Sequence, residues 1–351
     1  MINKSFWKNK KVFLTGHSGF KGAWLAFILN SFGAEVKGYS LEPLSSPNLF
    51  DLLKLDKNIN SVIGDIRDSE NLRREFETFK PEIVFHLAAQ PLVLESYKNP
   101  VETYSTNVMG TVNILECVRQ SQSVRSVINV TTDKVYHNNE WAWGYRENDI
   151  LDGIDPYSNS KSCSELVTAC YVRSFFSARD IAVSTMRAGN VIGGGDFAEN
   201  RIIPDCVRAA IKGYAIEVRN PNSVRPYQHV LDALFAYLLV AQKQYEDKNF
   251  ADNYNVAPAE EDTVTTGELA EFFCKSWGEN LRWETKSLQQ NREANLLKLD
   301  CAKIKSVFNW KPVWNIKTAI EKSVEWYKTY RDNANVAQCM DKQIKIFQRE
   351  L

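Results

Sequence analysis

Lys11-Val12-Phe13-Leu14-Thr15-Gly16-His17-Ser18-Gly19-Phe20-Lys21-Gly22 joins a short apolar run directly to three glycines spaced G-x-x-G-x-x-G. The apolar run reads as a buried strand, and the residues after the glycines, 19–32, read as the first helix. Glycines at such a junction permit a tight turn and close backbone approach. Free N–H groups and the helix dipole can then hold a dinucleotide pyrophosphate. A glycine-rich turn with no ligand is the plainer reading of the triplet. Its place between the first strand and first helix of a βα series favours the dinucleotide.

Outward from this segment the same alternation continues. Strands are expected at 35–39, 61–64, 82–87 and 126–131, separated by helices near 68–79, 100–120 and 156–176. This pattern predicts an α/β fold, a doubly wound parallel sheet of the Rossmann type. A sixth apolar run at 181–186 ends in Arg187-Ala188-Gly189-Asn190-Val191-Ile192-Gly193-Gly194-Gly195-Asp196, where regular alternation stops. Pro-containing loops, short helices and a Trp-rich tail follow. The expected division is a dinucleotide domain over 1–187, together with about 226–252. A smaller, discontinuous α/β substrate domain takes 188–225 and 253–351.

An acidic residue near the end of the second strand holds the adenosine ribose of NAD, whereas an Arg there favours NADP. Here Ser40 or Glu42 occupies that place and no Arg is near, so NAD is expected. Asp65 and Ile66, ending the third strand, sit where an adenine contact could form, or where Asp65 caps the next helix.

The chain has 351 residues, with 43 basic and 43 acidic side chains, and 44% of it is hydrophobic. That length suggests about two domains and a core that needs no staples. Zero net charge gives no general field for nucleic acid or an anionic membrane, so anion recognition must be local. Seven cysteines without a C-x-x-C pair read as reduced core residues. The N-terminal residues lack the pattern of a signal peptide, and no stretch reaches the ~18 apolar residues of a membrane helix. The expected compartment is the cytoplasm. Four histidines show no metal-ligand spacing, so no metal is expected.

Tyr157-Ser158-Asn159-Ser160-Lys161 places a phenol and an ammonium four residues apart on one helix face, with Pro156 at the helix start. A cation beside a phenol lowers its pKa and fits it to act as a base. Thr131-Thr132-Asp133-Lys134-Val135-Tyr136 lies about two dozen residues upstream, at the C-terminal edge of the fifth strand, where such sheets bind ligands.

In this order the motifs resemble the extended short-chain dehydrogenase/reductase superfamily, and within it the nucleotide-sugar 4,6-dehydratases. Further segments carry the likeness: His86-Leu87-Ala88-Ala89-Gln90-Pro91-Leu92-Val93, the 187–196 stretch above, and Arg225-Pro226-Tyr227-Gln228-His229-Val230. The broader family has Thr-Asp-Glu where this chain has Thr132-Asp133-Lys134, and the CDP-glucose branch resembles it in having Lys. The resemblance implies NAD as cofactor, a nucleotide sugar such as CDP-glucose as substrate, and a homodimer or homotetramer. It further implies cofactor contacts from Gly16, His17, Ser18, Gly19, Phe20, Lys21, Gly22, Ser40, Asp65, Ile66, Leu87, Ala88, Ala89 and Asn107, with Tyr157 and Lys161.

The implied catalysts are Thr132, Asp133, Lys134, Tyr157 and Lys161. Tyr157, aided by Lys161 and Thr132, would take the proton of the sugar 4-hydroxyl while hydride leaves C4. The ketone so formed acidifies C5, and water is then lost across C5 and C6. Asp133 is the expected acid, if burial keeps it protonated. Lys134 is the base if desolvated to an amine, and otherwise a cation that steadies the enolate. Hydride return to C6 closes the cycle.

On the substrate side the likeness implies Gln90, Asn190, Arg201, Arg219, Arg225 and His229, the guanidinium forks suiting a diphosphate. A 4-epimerase, or a dehydratase for another nucleotide, would keep Tyr157 and Lys161. A non-catalytic NAD sensor would be expected to lack one of them.

Overall fold

The computed structural model describes residues 2–285 and 296–351. Seven strands form its main sheet: β1 (Lys11–Thr15), β2 (Glu35–Ser40), β3 (Asn60–Ile63), β4 (Ile83–His86), β5 (Ser126–Val130), β6 (Ala182–Ala188) and β7 (Asn253–Val256). Their order is β7-β6-β5-β4-β1-β2-β3 and every pairing is parallel. The order in which successive strands are added reverses between β1 and β4, where Thr15 pairs with Tyr39 on one side and His86 on the other. A crevice opens beyond the carboxyl ends at that point, the usual ligand position of such sheets.

Helix α1 (Phe20–Ser31) follows β1, and α2 (Ser69–Phe79) follows β3. The 100–120 region is not one regular helix. A wider π-turn, Ser105–Met109, separates Pro100–Tyr104 from α3 (Gly110–Gln120). Helix α4 (Pro156–Tyr171) is capped by Asp155, whose carboxylate accepts the Ser158 N–H at 3.0 Å. Helix α5 (Ile202–Lys212) and α6 (Val230–Glu246) follow β6, and α6 packs on β5 and β6.

Two differences from the sequence expectation have clear causes. Strand β6 runs on to Ala188 because Arg187 is neutralised inside the protein. Its Nε and Nη2 donate to the two oxygens of Glu165 at 2.9 and 3.0 Å, and Nη1 donates to the Tyr136 hydroxyl at 2.8 Å. The second difference is a correction: residues 253–256, assigned to the substrate domain, form the edge strand β7 on β6. Asn253 and Asn255 hide its apolar signal, yet both are bonded. Asn253 accepts from Thr185 at 2.8 Å, and Asn255 accepts from Tyr136 at 2.7 Å while donating to the Tyr145 carbonyl at 2.8 Å.

Short strand pairs roof the crevice. Ile216–Val218 pairs with Trp283–Thr285, Val224–Arg225 with Val264–Thr265, and Gln228–His229 with Val191–Ile192. Among the described residues no helix is long and apolar enough to cross a membrane.

Candidate active site

Gly16 has φ 76°, and a Cβ there would lie 2.8 Å from the Ala88 nitrogen. A Cβ on Gly22 would lie 2.0 Å from the Gly16 carbonyl oxygen. Both positions therefore demand glycine, whereas Gly19 meets nothing closer than 3.5 Å and leaves the mouth of the turn clear. No side chain caps α1, so its first N–H groups face that mouth. The Leu87 and Ala88 N–H groups both donate to Thr15 Oγ1 at 3.1 Å, which ties the loop after β4 to the glycine turn.

The turn is braced from below. His17 is buried between Ser61, 2.7 Å from its Nε2, and Ser40, 3.0 Å from its Nδ1. Burial lowers the His17 imidazole to about 4, so it is neutral. Ser40 also donates to Ser18 Oγ at 2.9 Å. The Ser40 hydroxyl, expected at the ribose, holds the turn in this structure; Glu42 follows on the exposed loop. Asp65 is paired with Arg67, at 2.6 Å, and that guanidinium holds its carboxyl below the usual range. Asp68 is the cap of α2. Ile66 is buried against Gly110.

Two further residues expected at the ligands make bonds within the protein. Asn107, on the π-turn, accepts the Gln90 N–H at 2.8 Å and donates to the Gln90 carbonyl at 3.1 Å and Ser160 Oγ at 2.8 Å. These bonds clamp the 88–91 loop against α4, so Asn107 positions that loop. The Gln90 side chain folds back onto Thr103, 2.9 Å away, and the Leu92 N–H, and does not reach the cavity.

One cavity of about 710 Å³ extends from the carboxyl end of β5 beneath the roof, within the range of small-molecule sites. Thr132, Asp133, Lys134 and Tyr157 line one end. Thr132 donates to Asp133 Oδ1 at 2.9 Å and faces the Tyr157 phenol within hydrogen-bond reach. Lys134 Nζ donates to the same Asp133 oxygen at 2.9 Å and to Asn190 Oδ1 at 3.3 Å. Asp133 is 1% exposed, and its Oδ2 has no partner. Lys161 Nζ donates to the Val130 carbonyl at 3.1 Å, which fixes it one turn below the phenol.

Burial governs the titration of this end. It pushes the Tyr157 phenol up to about 12 against a lowering by Thr132, and it lowers the Lys161 ammonium to about 8. The expectation of a phenol depressed by Lys161 is thus reversed: desolvation dominates, and the lowering comes from Thr132 and Arg201.

Arg201, Arg219 and Arg225 all line the cavity. Arg201 is paired with Asp196 at 3.0 Å, Arg219 donates to the Asn200 carbonyl at 3.3 Å, and Arg225 is buried with Nη1 on the Val224 carbonyl at 2.9 Å. His229 does not join them. It is fully buried, caps α6 by accepting the Leu231 N–H at 3.2 Å, and packs edge-on to Trp314. A His next to the first turn of an apolar helix is a cap, a role that family likeness hid.

Two residues were missed. Asp196 orients Arg201, and an acid closing a Gly-Gly-Gly run was its only sequence signal. Glu165 binds Arg187 and accepts from the hydroxyls of Thr131 and Thr185, joining α4 to the ends of β5 and β6. Trp141 and Trp143 lie outside the cavity, Trp141 stacked on Tyr145.

A family model described as GDP-mannose 4,6 dehydratase matches residues 13–323. CDP-glucose 4,6-dehydratase of Salmonella typhimurium (strain LT2) is 45% identical over 353 residues, spanning 99% of this chain and 98% of its own. Among solved structures, dTDP-glucose 4,6-dehydratase of Bacillus anthracis in complex with NAD superposes with TM-score 0.76 at 22% identity, over 93% of this chain and 99% of that one. UDP-glucose 4-epimerase of Thermotoga maritima gives 0.79 at 23% identity, over 91% and 99%.

Proposed function

Because the chain belongs to the GDP-mannose 4,6 dehydratase family, we propose that it converts CDP-glucose to CDP-4-keto-6-deoxyglucose, as an NAD-dependent hydro-lyase. The observation that carries this is the Asp133–Lys134 pair beside Tyr157, buried at the end of β5. A 4-epimerase has use for Thr132, Tyr157 and Lys161 alone. An added carboxyl and amine at the same place supply what loss of water requires.

The glycine turn fits NAD, since the positions a Cβ would block are glycine and the helix N-terminus stands open. Gly16, Gly19, the α1 N–H groups and Lys161 would hold it, with the 87–89 backbone beside them. Held there, the cofactor would supply reversible hydride chemistry between C4 and C6.

Tyr157 Oη would receive the proton of the sugar 4-hydroxyl as the phenolate, a form that burial disfavours in the free protein and that the positive charge of bound NAD would favour, with the Thr132 hydroxyl fixing the direction of approach. Elimination then needs a neutral amine and a neutral acid. Passing one proton from Lys134 Nζ to Asp133 across their 2.9 Å contact creates both without changing the net charge of the pair. Exclusion of water by the sugar favours that exchange, because a neutral pair loses less hydration than an ion pair. The amine removes the C5 proton, and the carboxylic acid protonates the C6 hydroxyl as it leaves as water. Asp133 Oδ2, without a partner in this structure, is the oxygen free to do so. After hydride return to C6, the Lys134 ammonium gives its proton back to C5. Asp133, left as the carboxylate when water departs, regains a proton from Tyr157, which took it from the 4-hydroxyl, through the Thr132 hydroxyl that bonds it at 2.9 Å, and the pair is neutral again.

Arg201, Arg219 and Arg225 would bind the diphosphate and Asn190 the sugar. We place the reaction in the cytoplasm, in a homodimer formed through the helices on 100–120 and 156–176. There Val101, Met109, Leu166 and Phe175 are 82%, 51%, 56% and 44% exposed. The purified protein, given NAD and in turn CDP-, UDP- and dTDP-glucose, should form an alkali-absorbing 4-keto-6-deoxy product fastest from CDP-glucose. A 4-epimer as sole product would refute the assignment.

A further inference from the structure

Lys21 is the second residue of α1, and its side chain lines the catalytic end of the cavity together with Thr132, Asp133 and Tyr157. Its setting is hostile to an ammonium. Lys161 on α4, Arg201 ahead of α5 and Lys134 after β5 all repel it, and only Asp133 attracts it. Asp133 is already held: Oδ1 accepts from Thr132 and Lys134, and Oδ2 has no partner, so Lys21 is not on it. Among the described residues no ion pair or hydrogen bond holds Lys21 Nζ. The positive end of the α1 dipole adds to the repulsion.

Three cations and a helix N-terminus gathered round an unpaired amine make a place for a dianion. We propose that Lys21 is a diphosphate ligand whose ammonium forms as the diphosphate arrives, so that binding takes up a proton. The inference rests on the cofactor and substrate assigned above. Without ligand, burial followed by Lys161 and Arg201 lowers the Lys21 ammonium to about 7. A diphosphate reverses the sign of that field and restores the charge. The proposed cofactor and the proposed nucleotide sugar each carry one diphosphate, and either can be the ligand.

The test is calorimetric titration of the whole protein at pH 8 in two buffers of different ionisation enthalpy. ADP-ribose is the probe for the cofactor diphosphate and CDP the probe for the substrate. The expected result is uptake of about 0.5 to 1 proton per site with one or both probes, the responding probe naming the source. Lys21→Arg, charged at every pH, should bind that probe with near-normal affinity and no proton uptake. Lys21→Met should lose the uptake and bind roughly 10- to 100-fold more weakly. Absence of uptake with both probes, or uptake persisting in Lys21→Arg, would overturn the proposal. Neither probe is turned over, so a failure of the dehydratase reading would leave this result standing.

Discussion

Lys134 Nζ stands 2.9 Å from Asp133 Oδ1, and the carboxylate it pairs with is 1% exposed while Lys134 itself reaches the cavity. In the proposed reaction this pair supplies the acid and the base. Asp133→Asn keeps the shape of the acid but not its proton chemistry. It should lower product formation by 10²–10⁴-fold, the usual worth of a placed acid or base, and leave C4 oxidation intact. A transient rise in NADH absorbance without 4-keto-6-deoxy product is the signature. Full dehydration by this variant would remove Asp133 as the acid. Lys134→Met should behave alike, and should also stop incorporation of solvent deuterium at C5.

Arg225 is buried in the cavity wall, beside the pairing of Val224–Arg225 with Val264–Thr265. Arg225→Ala should raise KM for the nucleotide sugar by roughly 10- to 100-fold, the worth of a charge-assisted pair to phosphate, with a smaller change in kcat. Steady-state kinetics decides it, and an unchanged KM would end the phosphate role.

Asp232, on α6, is buried where its Oδ1 accepts the Val313 N–H at 2.6 Å, and burial raises its carboxyl from the ordinary range to about 7. Between about pH 4 and 7 the folded protein therefore binds a proton that the unfolded chain does not. Its contribution to stability is present at low pH and fades as pH rises towards 7. Asp232→Asn can keep the accepting oxygen without the charge. Relative to the parent, its Tm should be higher at pH 8 than at pH 5 by several degrees, at ~2–4 °C per kcal/mol for a chain of this size. Calorimetric scans at the two pH values test this.

Leu166 on α4 is 56% exposed although it is a large apolar residue. Leu166→Glu should shift the protein towards monomer in sedimentation velocity while Tm changes little. An unchanged oligomer would place the pairing face elsewhere.

Much of this was readable from the chain because βα units write themselves as alternating apolar runs and punctuating glycines. The run 11–15 matches β1 to the residue, and the 131–136 and 157–161 motifs meet in one cavity. What escaped depends on partners distant in sequence. Strand β7 alternates asparagines whose bonds come from β6 and the loop at Tyr145. Asn107 and Gln90 have the right types for ligand contact but satisfy each other and the loop beside them. Lys21 is expected at the cofactor by likeness, but its unpaired setting shows only when α1 is set against α4 and the turn after β5, which turns its side chain inward.

Glu165 joins the helix that carries Tyr157 and Lys161 to the strand ends that carry Thr132 and Asp133. Its partner Arg187 extends the tie through Tyr136 to Asn255 on β7. The two half-reactions act on neighbouring carbons of one sugar, so the reagents for each must be indexed to a common frame or the intermediate would have to shuffle between them. This clamp provides the frame. Its cost is evolutionary: the oxidising and dehydrating groups cannot be re-spaced independently, and a new sugar must be accommodated by changes in the roof above an unaltered floor.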